Sequence, residues 1–545
     1  YGRGCGIVAI GLALAWGRAA GQGDAPPGAG RALDVVHYDL SVDLPDSGTH
    51  IDARAELTVF RRAPADSLRL DLVGLRVDSV LVNGVVAAAA RDSASLGIPL
   101  PPGHDDTLRV TVAYDGTPTD GLIIRTDSSG RWTAFGDNWP KRARYWIPSV
   151  DAPDDKATVT WTVRAPADRR VVANGALVEE QPLARDAAGV ARTLTRWRES
   201  RPIPTYLMVI AAAPLASYDL GETACGRAAL GKCVRQTVYV APEMVGWLPG
   251  PFAQAPGIVE FFSTLVAPFP YERLAHLQSS TRFGGMENAT AIFYADRSVR
   301  ERTLSVNTIA HETAHQWFGD AVTESTFADL WLSEGFATYF SELWTQRSQG
   351  DSVFRADMAK LRQVIVASPV TATRPVHDSL ETNTLALLNT NSYQKGGWTL
   401  HMLRSMLGDS AFFRGVRAYY LAHRDGNART DDLRVALERS SGRPLGWFFD
   451  QWLRRPGFAE LTTRWRYDTV RHRVTLDVGQ GVRFAPYRFP LAIDVRDAGG
   501  RVHRVTVQVA AVHAQTIVLP LPLTAPPREL VLDPDVQLLA TFATR

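Results

Sequence analysis

The sequence predicts a multidomain α+β protein with a β-rich first part, a mainly helical middle and a smaller β-rich end. Three observations predict it. The 545 residues exceed what one hydrophobic core serves, so roughly two to four domains are expected. Apolar and polar residues alternate up to about residue 217 and again from about 457, the period of half-buried strands. Between those limits the apolar residues recur at helical spacing. At 45% hydrophobic and 21% charged, the composition is that of an ordinary globular protein.

At the start, Tyr1 stands where an initiator methionine would be, Arg3 precedes an apolar run over 6–16, and small residues Ala19, Ala20 and Gly21 follow. This is the pattern of a secretory signal with a short apolar region, too short for a transmembrane helix. Residues 1–31 therefore read as signal peptide and flexible leader, and export to a periplasmic or extracellular space is expected. Cys5 would leave with the leader. Cys225 and Cys233 remain as an even pair, either a local disulfide in an oxidising compartment or two reduced thiols.

Over 32–217 the strands are legible from single runs. Leu108, Val110 and Val112 alternate with Thr107, Arg109 and Thr111, and Val159, Trp161 and Val163 repeat the pattern. Asn174-Gly175 between apolar runs predicts a hairpin. Over 218–456 a short strand region at 234–240 gives way to helices. Gly350-Asp351 and Gly408-Asp409 separate helix pairs, and Thr430 is placed to cap a helix over 431–438. Over 457–545 alternation returns in Val474, Leu476, Val478 and in Val505, Val507, Val509, which predicts a small β-sandwich.

Charge excludes one class of partner. Lys+Arg number 59 against Asp+Glu 57, a net charge of +2, and no basic tract is long enough to suggest nucleic acid. The short cluster at 141–144 reads as a solvated or ion-paired segment.

The chemistry concentrates in His311-Glu312-Thr313-Ala314-His315 and Glu334, separated by 18 residues. The pentapeptide lies in an expected helix over 306–318, which puts the imidazoles one turn apart on one face. Glu334 lies in a second expected helix over 330–344, whose Leu332, Phe336, Phe340 and Leu343 mark a packed face. Two neutral imidazoles and a carboxylate supply three ligands to zinc and leave one position for water. Glu312 is placed to take that water's proton. A structural zinc site would be closed by a fourth ligand, and neither cysteine fits the set.

Gly284-Gly285-Met286-Glu287-Asn288 ends 23 residues before His311. With His315-Gln316-Trp317-Phe318-Gly319-Asp320, the segment 329–337, Ser392-Tyr393-Gln394-Lys395-Gly396, the segment 143–148 and Pro204-Thr205-Tyr206-Leu207, it resembles the aminopeptidase N family of gluzincin zinc metallopeptidases, which includes the leukotriene epoxide hydrolases. The match runs from about residue 33 to about 458. The resemblance implies a saddle-shaped β-sandwich first, a thermolysin-like catalytic domain next, and one Zn2+ per chain held by His311, His315 and Glu334. It implies Glu312 as general base and Tyr393 as the group that stabilises the oxyanion. It makes Gly284, Gly285, Met286, Glu287 and Asn288 the substrate-binding segment, with Glu287 facing the α-ammonium of a peptide with a free amino terminus. Many members continue into a large helical domain; the sequence stops at Arg545 without one, so a more open site is expected.

One position departs from the pattern. Trp139 stands where a Glu or Gln helps bind the amine, with Asp137 and Asn138 adjacent. Asp320 and Asp329 are candidates to back the zinc histidines or to cap helices, whereas His377, His401 and His423 read as surface or core residues. The alternatives are an inactive peptide-binding scaffold, an epoxide hydrolase and an endopeptidase. All the metal ligands and the base are present, Leu385 and Leu388 occupy positions where epoxide hydrolases carry Asp and Tyr, and Glu287 speaks for exopeptidase action.

Overall fold

A computed structural model describes residues 31–186, 188–225 and 232–544; all of the expected leader but Arg31 lies outside them. The first part is built on an eight-stranded sheet in the order Ala176–Leu183, Arg192–Pro204, Lys156–Pro166, Leu33–Asp43, Ile51–Arg61, Asp106–Gly116, Arg76–Val82, Val85–Val86. Its pairs are antiparallel except Leu33–Asp43 with Lys156–Pro166. The alternation is realised physically: Leu108, Val110 and Val112 are buried, while Thr107 and Arg109 face solvent. A four-stranded sheet, Arg170–Ala173, Ile210–Ala213, Trp132–Gly136, Leu122–Thr126, accompanies it. Trp146 and Trp161 stack in the core at 5.4 Å between ring centroids.

Asn174-Gly175 forms no hairpin. The dipeptide links Arg170–Ala173 in one sheet to Ala176–Leu183 in the other. Gly175 has φ +79°, and a side chain there would overlap the Arg198 carbonyl. The positive φ that a tight hairpin turn demands is thus present, but in a crossing between sheets. Asn174 is buried and fully engaged: its amide donates to the carbonyls of Leu207 (2.8 Å) and Ala289 (2.7 Å) and accepts from the Val209 N–H (2.6 Å).

The middle part opens with a five-stranded sheet in the order Ala216–Ala224, Lys232–Val240, Arg273–Ser279, Ala291–Ala295, Gly285–Met286. Gly285–Met286 is its edge. Cys225 and Cys233, beside the first two strands, are joined as a disulfide. The helices follow. Val306–His315 is shorter than expected, because Gly319 at φ +121° turns the chain into strand Val322–Glu324. Trp331–Gln349 is longer and stops at Gly350, and Gly396–Leu407 stops at Gly408, both glycines at positive φ. Helix Thr430–Ser441 starts at Thr430 itself, whose N–H and hydroxyl are taken by Asp329. No helix of the described residues is long and apolar enough to cross a membrane.

The end of the chain is a four-stranded sheet (Ala514–Pro522, Arg473–Gln480, Ala459–Asp468, Ala540–Thr544) and a three-stranded one (Val502–Val509, Phe489–Arg496, Glu529–Leu532). Val474, Leu476, Val478, Val507 and Val509 are buried and Val505 half-buried. The parts are pinned by buried polar contacts. Lys156 Nζ, from the first part, donates to the carbonyls of Asp320 (2.9 Å), Ala321 (3.0 Å) and Gly426 (3.1 Å). Arg273 donates back to the carbonyls of Ala173 and Gly175. Gln451 pairs with both backbone groups of Arg488.

Candidate active site

Ser305 starts the helix Val306–His315 by accepting the Thr308 N–H at 3.0 Å, and the helix then presents His311 and His315 on one face. Glu334 sits in the first turn of Trp331–Gln349. His311 Nε2 lies 3.1 Å from His315 Nε2, and Glu334 Oε2 lies 3.2 Å and 3.3 Å from those two atoms. Zinc bonds of about 2.0–2.1 Å in a tetrahedron imply ligand–ligand edges of about 3.3 Å. The donor set therefore fits zinc, on one side of a cavity of about 350 Å³.

His315 Nδ1 is 3.1 Å from the Phe318 carbonyl and 3.0 Å from Ser333 Oγ. A proton on Nδ1 donates to that carbonyl, which fixes the ring with Nε2 toward the shared ligand position beside Glu334. The sequence reading passed over both partners: one is a backbone oxygen, the other a serine with no signature. The aspartates do other work. Asp329 binds Thr430 and faces His377 at 3.0 Å, and Asp320 accepts from Gln316 at 2.8 Å.

Two glycines bring in Tyr393. A methyl on Gly335 would lie 2.9 Å from the Gly396 carbonyl carbon, and one on Gly396 3.1 Å from Gly335 Cα, so the two helices touch backbone to backbone. The wide helical turn Asn391–Lys395 leads into this contact. Tyr393 then donates its hydroxyl to Glu334 Oε1 at 2.8 Å and stacks parallel to His311.

Gly285 has a comparable role on the other side. A side chain there would overlap the Glu312 carboxyl unless Glu312 shifted, so glycine lets the edge strand pass close over it. Ligand atoms of Glu287, Glu312 and His315 lie within 4.8 Å of one another. Among the described residues, Glu312 receives no hydrogen bond and Glu287 none beyond its own backbone amide. Gln316 anchors the segment by donating to the Glu287 carbonyl (2.8 Å) and accepting the Thr290 N–H (2.9 Å). Gly284, Gly285, Met286 and Glu287 line the cavity; Asn288 is fully buried and is not among the lining side chains. Trp139 lines it too. Asn138 is taken up by Trp146 and the Met208 carbonyl, and Asp137 by Arg142 and Arg282, so neither supplies a helper for an amine.

The electrostatics match a cation site. Burial lifts Glu312 well above the carboxylate range and also raises Glu287. Burial would raise Glu334, but His315 and His311 hold it well below. His315 is depressed by burial yet ends well above an ordinary imidazole because Glu287 and Glu334 face it. Three carboxylates around two imidazoles make a buried negative site that favours a metal ion. Burial and Glu334 push the Tyr393 hydroxyl well above its usual range, so it stays a donor. A larger cavity of about 510 Å³, between the helices and the last sheets, contains none of these groups.

The family model of the peptidase family M1 domain matches residues 254–452, and that of the peptidase M1 N-terminal domain matches 35–207. An aminopeptidase N of Streptomyces lividans is 27% identical over 79% of this chain and 51% of its own length. A glutamyl aminopeptidase of Rattus norvegicus is 26% identical over 68% of this chain and 40% of its own. The chain thus spans about half or less of these curated relatives. The crystal structure of an M1 zinc metallopeptidase from Deinococcus radiodurans superposes with a TM-score of 0.67 at 28% identity, covering 78% of this chain and 93% of that one. Two family models that together take in most of the residues, on a β-rich, helical and β-rich succession, make the chain a member of the aminopeptidase N family, peptidase family M1.

Proposed function

We propose that the chain is a zinc-dependent aminopeptidase that removes amino-terminal residues from peptides, with domains at 32–217, 218–456 and 457–545. The observation that carries the reading is the convergence of three ligand atoms at 3.1–3.3 Å beside two buried carboxylates that, among the described residues, receive no hydrogen bond from another residue. His311, His315 and Glu334 would hold one metal ion. Zinc bound there supplies a Lewis acid and lowers the pKa of a water to about 7. Glu312 takes the proton of the attacking water on its free carboxylate and passes it to the departing amine nitrogen. Tyr393 turns its hydroxyl from Glu334 to the oxygen that gains negative charge. Glu287 pairs with the α-ammonium, which is mostly cationic near neutral pH, and so admits chain ends only. The Cys225–Cys233 bond supports an exported protein.

The test is hydrolysis of aminoacyl 4-nitroanilides and of their amino-acetylated twins, alongside metal analysis. The free-amine substrates should be cleaved, with about one zinc per chain. Chelation should abolish cleavage and zinc restore it. Efficient cleavage of acetylated substrates, or full activity after metal removal, overturns the reading.

A further inference from the structure

The larger cavity, of about 510 Å³, lies where helix Gly396–Leu407 and the short helix Gly446–Trp452 meet strands Phe489–Arg496 and Val502–Val509. A space of this size suits a small organic molecule. Met402, Met406, Phe448 and Trp452 supply an apolar lining, and all but Met406 are buried. The unbranched methionines adjust to apolar groups of different shape.

Positive charge borders this lining. Arg443 and Arg488 both line the cavity, and neither pairs with a carboxylate among the described residues. Arg488 lays its guanidinium over the Trp447 ring, 4.3 Å from the centroid. Stacking takes up the face of the group and leaves open its N–H edge, the part that matches a carboxylate with two parallel bonds. Arg443 spends one N–H on the Met406 carbonyl at 2.9 Å, which holds it beside the apolar lining. Asp533, the acid in the lining, is already matched: it accepts from Arg362 at 2.7 Å and from the amides of Gln537 and Leu538. Trp452 adds a buried indole N–H that finds no acceptor among the described residues.

We propose that this cavity is a second binding site, for a ligand whose apolar or aromatic body ends in a carboxylate. The body leaves water for the methionines and Phe448, which favours it in proportion to the apolar area covered. The carboxylate takes the open edge of Arg488, and the charge of Arg443 adds to the attraction. A cationic ligand would meet like charge, and an uncharged one would leave the guanidinium edge to water. Free arylalkanoic acids and the carboxyl ends of peptides share this chemistry. None of the groups assigned to the reaction lines the cavity, so the proposal stands apart from the aminopeptidase reading.

The experiment titrates the zinc-loaded full chain by calorimetry with 4-phenylbutyrate and its amide, and with acetyl-Ala-Phe bearing a free or an amidated carboxyl end. At least one of the two acids should bind, at a single site and at least about tenfold tighter than its own amide; the tighter acid identifies the source of the ligand. Arg488→Gln should weaken acid binding at least about tenfold and leave amide binding as it was. Thr506→Trp fills the cavity from an exposed strand position, spares both arginines, and should abolish binding. Both variants should keep their zinc and their hydrolysis of aminoacyl 4-nitroanilides. No binding of either acid at millimolar concentration, or equal binding of acid and amide, overturns the proposal. So does acid binding that survives both variants and disappears with the metal, which would place the carboxylate on the zinc.

Discussion

Among the described residues Glu312 has no hydrogen-bond partner to stabilise its charge, and the backbone of Gly285 lies close over it. A carboxylate held this way is fixed in place and kept basic by desolvation. Glu312→Gln keeps the shape and removes the base, so turnover should fall by roughly 10²–10⁴ with bound zinc unchanged. Tyr393→Phe should cost roughly 10²–10³ in kcat, again without metal loss. Steady-state rates beside metal analysis check both; a variant that loses zinc would show that its residue holds the site together instead. At this scale the site was largely legible, because His311, His315, Glu312 and Glu334 sit at spacings that chemistry dictates. Ser333 and Gln316 were not. Ser333 touches a histidine's far nitrogen and a carbonyl, and Gln316 touches main-chain atoms and a buried aspartate. Such contacts leave no pattern in a single sequence.

Among the elements, the crossing of Trp331–Gln349 with Gly396–Leu407 sets the distance from Tyr393 to Glu334. Gly335→Ala would press a methyl on the Gly396 backbone, which cannot rotate away as a side chain would. Overpacking of this kind costs about 1–3 kcal/mol. Melting temperature should fall, and activity should drop toward that of Tyr393→Phe; an alanine variant with full activity would show that the helices slide freely. Strand Val322–Glu324 makes a second prediction. Glu324 is buried, its carboxylate finds no donor beyond its own backbone amide among the described residues, and burial raises its pKa from 4.5 to about 8. Between those values the folded chain keeps a proton that the unfolded chain has released, so stability falls as pH rises across the window. Glu324→Met should flatten that fall, its advantage over the wild type growing by at least ~1 kcal/mol from pH 5 to pH 8 in urea titrations. Equal slopes would mean that Glu324 is ionised in the fold. Strands were read well where one face is wet, as at Leu108 to Val112. The Asn174-Gly175 turn misled because positive φ at glycine serves a hairpin and a sheet crossing equally.

For the whole molecule, the segment around Glu287 depends on residues far from it in sequence. Asn174 ties the loop after Asn288 to the first β-rich part through the Ala289 carbonyl. Asn174→Ala would strand that carbonyl, the Leu207 carbonyl and the Val209 N–H in the interior, at about 1–3 kcal/mol for each unsatisfied group. KM should rise several-fold with zinc content unchanged, and unfolding should shift to lower urea; an unchanged KM would disconnect the loop from the crossing. Such ties were invisible beforehand, since they join side chains to carbonyls a hundred residues away. The contact of Lys156 with the carbonyls of Asp320, Ala321 and Gly426 bears on modularity in the genetic sense. The metal-site region reads as a self-contained cassette, yet a fragment beginning at Ala216 would expose three carbonyls that the ammonium now covers, along with the Arg273 guanidinium. Recombination that swaps only this region between relatives should lower the yield of soluble chimeras unless the matching lysine and carbonyl partners travel with it, so the unit that can be exchanged intact reaches at least from the strand of Lys156 to that of Gly426.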